Sequence, residues 1–289
     1  MPPAASSRAR SWTARAARPN FAASWNNRES LMPPDAGRAF LAVLLAALLA
    51  ACAGTGGATP ATGGRGAEMS RQGNANLRLA QSYLQSGKLE YALDRARRGL
   101  QTDPDSADLH VVMGMIQERI NQPARAGESY ARAARLAPGS GHVRNAYAVW
   151  LCQQGRHDQA ETQFAAAFAD PFYGNKHQAY YNAGRCAWLA GRPTVAETHL
   201  RKGLDLAPED AALLLLAAEV EYANGDYLSA RAFLQRREAA GASTPELLDL
   251  AARIEEAAGD RASADRYRQR LRQQFPDFTP TAPEGARQQ

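Results

Sequence analysis

The stretch NAYAVWLCQQGRHDQAETQFAAAFADP, residues 145–171, carries the pattern that decides the fold. Gly155 divides it into two segments with helical apolar spacing; Ala148 lies seven residues before the glycine, Ala160 five residues after it, and Pro171 ends the stretch. Glycine tolerates a turn with positive φ, and proline cannot continue a helix. Small residues leave room for two helix backbones to approach closely. The stretch therefore predicts a helix–turn–helix hairpin.

This pattern repeats along most of the chain. The turn positions are 34, 34, 36, 34 and 34 residues apart, at Gly87, Asn121, Gly155, Gly191, Gly225 and Gly259. The residue five places after each turn is always alanine, at Ala92, Ala126, Ala160, Ala196, Ala230 and Ala264. The residue seven places before each turn is always small, at Ala80, Gly114, Ala148, Gly184, Ala218 and Ala252. Prolines close most units, at Pro104, Pro138, Pro171, Pro208, Pro245 and Pro276.

These six units resemble the tetratricopeptide repeat, a 34-residue helix–turn–helix that stacks into a solenoid. No segment alternates between apolar and polar residues with a period of two, so no strands are expected. We predict an all-α, right-handed α-solenoid of six helix hairpins over residues 73–276, followed by a disordered polar tail at 277–289. The two extra residues of the longer spacing fall within residues 170–178 and lengthen one loop between repeats.

The N-terminal region contains a short apolar segment of 13 residues, 39–51, which follows Arg38. A helix needs about 20 residues to cross a bilayer, so this segment is too short to span one. A basic residue before a short apolar segment instead indicates a signal peptide. We assign residues 1–51 to that signal. Met32 would open a signal of ordinary length, so residues 1–31 are interpreted as a misassigned start.

Residues 49–52, with the sequence LAAC, resemble a bacterial lipobox, in which the cysteine is acylated and becomes the new N-terminus. Cys52 is therefore the predicted lipidation site; the alternative is an ordinary signal peptide with a chance cysteine after the cut. An aspartate directly after the cysteine would favour retention at the inner membrane. Ala53 stands there instead, which favours the outer membrane. The glycine-rich residues 52–72 are predicted to form a flexible tether with a reach of roughly 25 Å.

Charge and motifs argue against several classes of function. The chain carries a net charge of +5, but six arginines in residues 1–51 leave the remainder near +1. That charge leaves no electrostatic footprint for nucleic acid or anionic lipid. We find no nucleophile elbow, zinc-binding helix motif or phosphate loop, so the chain is not expected to be an enzyme or to need a cofactor or small-molecule substrate. No pair of histidines has metal-ligand spacing, among His110, His142, His157, His177 and His199.

Cys152 and Cys186 lie on the first helices of adjacent repeats. An exported protein meets an oxidising compartment, so a disulfide between them is predicted, worth about 3–4 kcal/mol in the chain-entropy model. Their positions are not equivalent, because Cys152 lies three residues before its turn glycine and Cys186 five. Two small buried thiols remain the alternative.

A tetratricopeptide solenoid has a concave face lined by its first helices. The family's partner-facing positions map onto Leu77, Gln81, Leu84, Gln85, Asp108, Val111, Met115, Glu118, Arg119, Asn145, Val149, Gln153, Tyr181, Arg185, Trp188 and Leu189. Aromatic, methionine and arginine side chains are enriched at protein interfaces. Packing between repeats is the alternative role for each position.

A narrower resemblance rests on residues 145–173, on AYYNAGRCAWLAGRPTVAE (179–197), on YLSARAFLQR (227–236) and on residues 244–278. Together with the lipobox and the cysteine pair, these segments are similar to the PilF/PilW family of type IV pilus biogenesis lipoproteins. Ala146 and Ala148 depart from the family's tendency toward Asn-Tyr-Gly there.

The resemblance implies a pilotin: an outer-membrane lipoprotein that faces the periplasm, binds secretin subunits of the pilus and promotes their localisation and multimerisation. A scaffold for outer-membrane protein assembly or cell-wall synthesis is the alternative within binding proteins. A periplasmic hydrolase is the alternative outside them.

Overall fold

The computed structural model describes residues 69–279, which form twelve α-helices and no β-strand. The helices are α1 (Arg71–Gln85), α2 (Leu89–Thr102), α3 (Ala107–Arg119), α4 (Pro123–Leu136), α5 (Gly141–Gln153), α6 (His157–Ala169), α7 (Lys176–Leu189), α8 (Pro193–Leu206), α9 (Ala211–Asn224), α10 (Tyr227–Ala239), α11 (Pro245–Ala257) and α12 (Arg261–Gln274). The predicted all-α fold of six hairpins is confirmed. Cys52, the predicted signal peptide, most of the predicted tether and residues 280–289 lie outside the described residues.

The first helix begins at Arg71, two residues earlier than the predicted start of the solenoid. Ser70 is the reason, because its hydroxyl accepts a hydrogen bond from the Gly73 N–H at 2.9 Å and so caps the helix. The same hydroxyl donates to the Asp103 carboxylate at 2.6 Å, which ties this cap to the end of α2. Arg71 and Gln72 therefore belong to the first helix of the solenoid rather than to the tether.

The six turn positions have the backbone conformation that the sequence predicts. The five glycines have φ between 70° and 85°, and Asn121 has φ 58°. Asparagine is one of the few residues besides glycine that often adopt this left-handed conformation. The six alanines that follow the turns are fully buried, with 0% of their surface exposed. At Gly114 an added Cβ would lie 2.9 Å from the ring of Tyr130, which explains why this position is smaller than alanine.

Helices pack in chain order. Each odd-numbered helix pairs with the even-numbered helix after it, and that helix packs on the next hairpin. Neighbouring odd-numbered helices also contact each other, whereas within residues 69–279 no even-numbered helix contacts another. The odd-numbered helices therefore lie closer together and line the concave side of the solenoid, as in other repeat proteins of this type.

Within the described residues the core comprises three apolar clusters, one drawn from two adjacent repeats and two drawn from three. The loop between α6 and α7 has six residues, 170–175, where the loops after α2, α4 and α8 have four, so the predicted two-residue insertion lies where it was expected. Among the described residues, the helices are too short or too polar to span a lipid bilayer.

Candidate partner-binding groove

The concave side presents two rows of side chains, which we call the concave stripe. They lie six and three residues before each turn position, at Gln81, Leu84, Met115, Glu118, Val149, Cys152, Arg185, Trp188, Glu219, Tyr222, Arg253 and Glu256. Some contacts between neighbouring odd-numbered helices come from this part of each helix. The Arg253 guanidinium, for example, lies 5.3 Å from the ring centre of Tyr222 on the neighbouring helix. The stripe therefore runs across the odd-numbered helices.

The first half of the concave stripe contains three apolar side chains. Leu84, Met115 and Val149 are half-buried; each packs on the core beneath it. Exposed polar side chains lie beside these three, among them Gln81, a member of the stripe, and Arg119. A surface of this kind, apolar at the centre and polar at the edge, has the composition of a protein-binding patch.

Two of the predicted groove residues do not present a surface. Leu77 is 9% exposed and Val111 is 7% exposed, and both belong to apolar clusters of the core. Their position, ten residues before the turn, points between adjacent repeats, where the neighbouring hairpin covers it. These two side chains support the groove from beneath, which is the alternative role, packing between repeats, that the sequence left open for them. Asn145, at the same position, is likewise buried and accepts a hydrogen bond from Asn182 at 3.1 Å.

Glu118 is only partly available to a partner. Its carboxylate accepts a hydrogen bond from the hydroxyl of Tyr130, which lies on the convex helix α4. Burial raises the pKa of Glu118, and the hydrogen bond and the charge of Arg119 counteract the rise without cancelling it. Glu118 therefore ties α3 to α4, and Arg119 remains the exposed charge at this end of the groove.

The second half of the concave stripe is aromatic and charged. Trp188 is half-buried on α7, and Arg185 donates a hydrogen bond to the hydroxyl of Tyr181, which lies one helical turn earlier and outside the stripe, at 3.5 Å. Glu219 follows on α9; burial raises its pKa, and the charges of Arg253 and Arg185 oppose that rise only in part. The stripe thus changes along the solenoid from apolar to alternating charge.

The predicted groove covered only the first four repeats, but the same count from Gly225 and Gly259 also leads to Glu219, Tyr222 and Arg253. The positional rule was sufficient to find them. Gln85 and Leu189 lie at the ends of α1 and α7 and are exposed at the edge of the groove.

Cys152 and Cys186 form a disulfide between α5 and α7, with Cα atoms 5.8 Å apart. His157, the first residue of α6, lies beside it, with Nδ1 3.9 Å from Cys152 Sγ and 3.6 Å from Cys186 Sγ. Histidine spacing alone gives no signal for this proximity, because Cys186 comes from the neighbouring repeat.

The recess between α8, α9 and α10 is too tight to admit even a water molecule. Typical small-molecule sites enclose roughly 300–1,000 Å³. The two carboxylates of the recess, Glu197 and Glu221, both pair with Arg201, at 2.9 and 3.2 Å. This arrangement is a structural ion-pair network, in which neither carboxylate is placed against a nucleophile.

Comparison with known proteins agrees with this architecture. Family models for the tetratricopeptide repeat match residues 77–141, 151–208 and 187–254. The type IV pilus assembly protein PilF of Pseudomonas aeruginosa is 29% identical over 196 residues, covering 68% of this chain and 77% of PilF. A solved structure of Pseudomonas aeruginosa pilF has a TM-score of 0.64 at 26% identity and covers 72% of this chain and 93% of that one.

A second solved structure is that of PilW, a widely conserved type IV pilus biogenesis factor. It has a TM-score of 0.69 at 23% identity. The match covers 73% of this chain and 97% of PilW and establishes likeness of fold. The chain is thus similar to PilF in sequence and to both proteins in structure.

Proposed function

Because the chain is a PilF/PilW-like tetratricopeptide-repeat protein, we propose that it is a pilotin for type IV pilus biogenesis. In this role it is anchored to the periplasmic face of the outer membrane through acyl chains on Cys52. It binds secretin subunits of the pilus and promotes their localisation and multimerisation. The work is non-covalent, so neither a cofactor nor a small-molecule substrate is required.

The observation that carries the proposal is the concave stripe on a PilF-like scaffold. Half-buried side chains such as Met115 and Trp188 are held rigidly by the core, yet each keeps one side toward solvent. Rigid, partly exposed apolar anchors bind with little loss of side-chain entropy. A membrane anchor adds to this effect, because it raises the effective concentration of the groove near a partner in the same membrane.

The groove is tested with the full chain in the bacterium that encodes it. A deletion strain is complemented with the native chain or with a Met115→Ala/Trp188→Ala variant, and secretin multimers resistant to detergent are quantified by immunoblot. Truncating central anchors commonly costs 2 kcal/mol or more in binding, so we expect at least about a tenfold weaker interaction and fewer multimers.

Phe172→Ala is the matched control, since this aromatic side chain is 93% exposed but lies in the loop between α6 and α7, away from the stripe. Far-UV circular dichroism checks that each variant folds. If the folded double variant supports native levels of multimer, the groove is not the secretin site. If a pull-down from membranes with the native chain recovered another envelope assembly in place of secretin, the alternative scaffold function would be favoured.

The anchor is tested separately with Cys52→Ser. We expect this variant to leave the outer-membrane fraction and to support fewer secretin multimers there. Retention of the variant in the outer membrane with normal multimers would refute anchoring through Cys52. This outcome is independent of the result for the groove variant.

A further inference from the structure

The surroundings of the disulfide contain three groups of the kind that bind soft and borderline metal ions. The sulfurs of Cys152 and Cys186 and the Nδ1 atom of His157 all lie within 4.8 Å of one another. They come from three helices: α5, α6 and α7. Cys186 is buried, at 4% exposed, whereas Cys152 and His157 are half-buried, so the cluster is reachable from solvent on one side.

We propose that, when the disulfide is reduced, Cys152, His157 and Cys186 bind one Zn²⁺ ion. Zinc bonds are about 2.3 Å to sulfur and 2.0–2.1 Å to nitrogen, so the nitrogen–sulfur edges of a tetrahedral site are about 3.5 Å long. The two nitrogen–sulfur distances here are 3.6 and 3.9 Å. The imidazole is therefore already placed for coordination while the disulfide is intact.

Only the sulfurs need to rearrange. The sulfur–sulfur edge of a tetrahedral zinc site is about 3.8 Å, and rotation about the Cα–Cβ bonds of both cysteines separates the sulfurs once they are no longer bonded. Two cysteines and one histidine leave the fourth position for water or for a group from a partner. The site is thus open rather than fully enclosed.

The chemistry balances in two steps. A dithiol reductant supplies two electrons and two protons, the S–S bond breaks to give two thiols, and the reductant becomes a disulfide. Zn²⁺ then displaces the two thiol protons and forms two zinc–sulfur bonds and one zinc–nitrogen bond. The product of the first step is also the starting state of a newly exported chain, which carries these thiols before they are oxidised.

Zinc and the disulfide exclude each other at this position. The inference does not depend on the pilus role, because it concerns only how the third and fourth repeats are joined. It assigns His157 a function that the disulfide alone does not require. The ion would hold α5, α6 and α7 together in the reduced chain.

The test uses the full chain reduced with a phosphine, which leaves no competing thiol in solution. Zn²⁺ is titrated in competition with a chromophoric chelator, and Co²⁺ is used in parallel because its bond to thiolate gives a charge-transfer absorption. We expect one ion per reduced chain and none per oxidised chain. Cys152→Ser and Cys186→Ser combined should abolish the thiolate absorption, and His157→Ala should weaken Zn²⁺ binding at least about tenfold.

His177→Ala is the matched control, because this half-buried histidine lies in the first turn of α7. It should leave the affinity unchanged. Circular dichroism of each reduced sample verifies that the helices are intact before metal is added. The proposal is overturned if the reduced native chain binds no Zn²⁺, if His157→Ala binds it as tightly as the native chain, or if the reduced chain is unfolded and Zn²⁺ does not restore it.

Discussion

Loss of the Cys152–Cys186 bond should lower the free energy of unfolding by about 3.8 kcal/mol. The bond joins residues 34 positions apart in the sequence, and it encloses the whole of α6. In the chain-entropy model a loop of that size removes about 12.6 cal/mol/K from the unfolded chain, which corresponds to this free energy at 25 °C. The effect arises in the unfolded state, so the helices of the native fold should remain in place.

The measurement is urea unfolding of the full chain, followed by circular dichroism and by tryptophan fluorescence. Trp150 on α5 and Trp188 on α7 report on the two repeats that the bond joins. Repeat proteins need not unfold in one step, and a local probe follows the part that matters. Cys152→Ala, Cys186→Ala and the double variant are compared with the oxidised native chain.

Reduced native chain, kept free of metal, is the control, since it loses the bond but keeps both side chains. Both single variants remove the same bond, so they should agree with each other and with the double variant within about 0.5 kcal/mol. The reasoning fails if the reduced chain loses less than about 1 kcal/mol, or if the double variant is much less stable than either single one.

Three further perturbations act on buried contacts, and urea unfolding measures each. Gly114→Ala should cost about 1–3 kcal/mol, because the added Cβ would meet the ring of Tyr130 at 2.9 Å. Arg231→Met should cost about 3–5 kcal/mol, because it leaves the charge of Glu255, whose side chain is 7% exposed, without its partner. Burial raises the pKa of Glu219 in the folded chain. Its contribution to the free energy of unfolding is therefore fully present below the ordinary glutamate pKa, about 4.3, and is lost as the pH rises through the raised pKa. Glu219→Gln should remove this dependence on pH.

Each of these substitutions has a control. Gly139→Ala adds a Cβ that meets nothing within 4 Å, and its stability should be close to native. Arg98→Met breaks an exposed pair with Asp94 and should cost less than about 1 kcal/mol. Glu90→Gln alters an exposed carboxylate on α2 and should keep the native pH trend. Equal losses at Gly114 and Gly139, or at Arg231 and Arg98, or a Glu219→Gln variant that keeps the native pH trend, would contradict the packing and burial arguments.

The hairpins could be predicted because their signals are local. A positive φ at Gly155 and a buried alanine at Ala160 follow from the turn and from the close approach of two helices that are adjacent in sequence. The same two requirements recur every 34 residues, so one stretch of sequence was enough to establish the fold. The start of α1 at Arg71 has a different origin, because the cap at Ser70 is strengthened by Asp103, which lies 33 residues away.

The groove could be predicted only in part. Counting residues placed Met115 and Trp188 correctly on the odd-numbered helices, but it did not distinguish them from Val111, which is buried. Whether a position is covered depends on the size and tilt of the next hairpin. Neither the size nor the tilt of the next hairpin can be read from the sequence of the helix that it covers.

Thus the sequence alone determined the period, the hairpin and the order of the helices, since these depend on residues within one unit. The tertiary structure decided which side chains remain at the surface, that Cys152 and Cys186 meet despite their unequal positions, and that His157 lies beside them. These outcomes depend on how one repeat rotates and packs on the next. That geometry is set by the combined shape of two apolar faces, and no single stretch of the chain contains it.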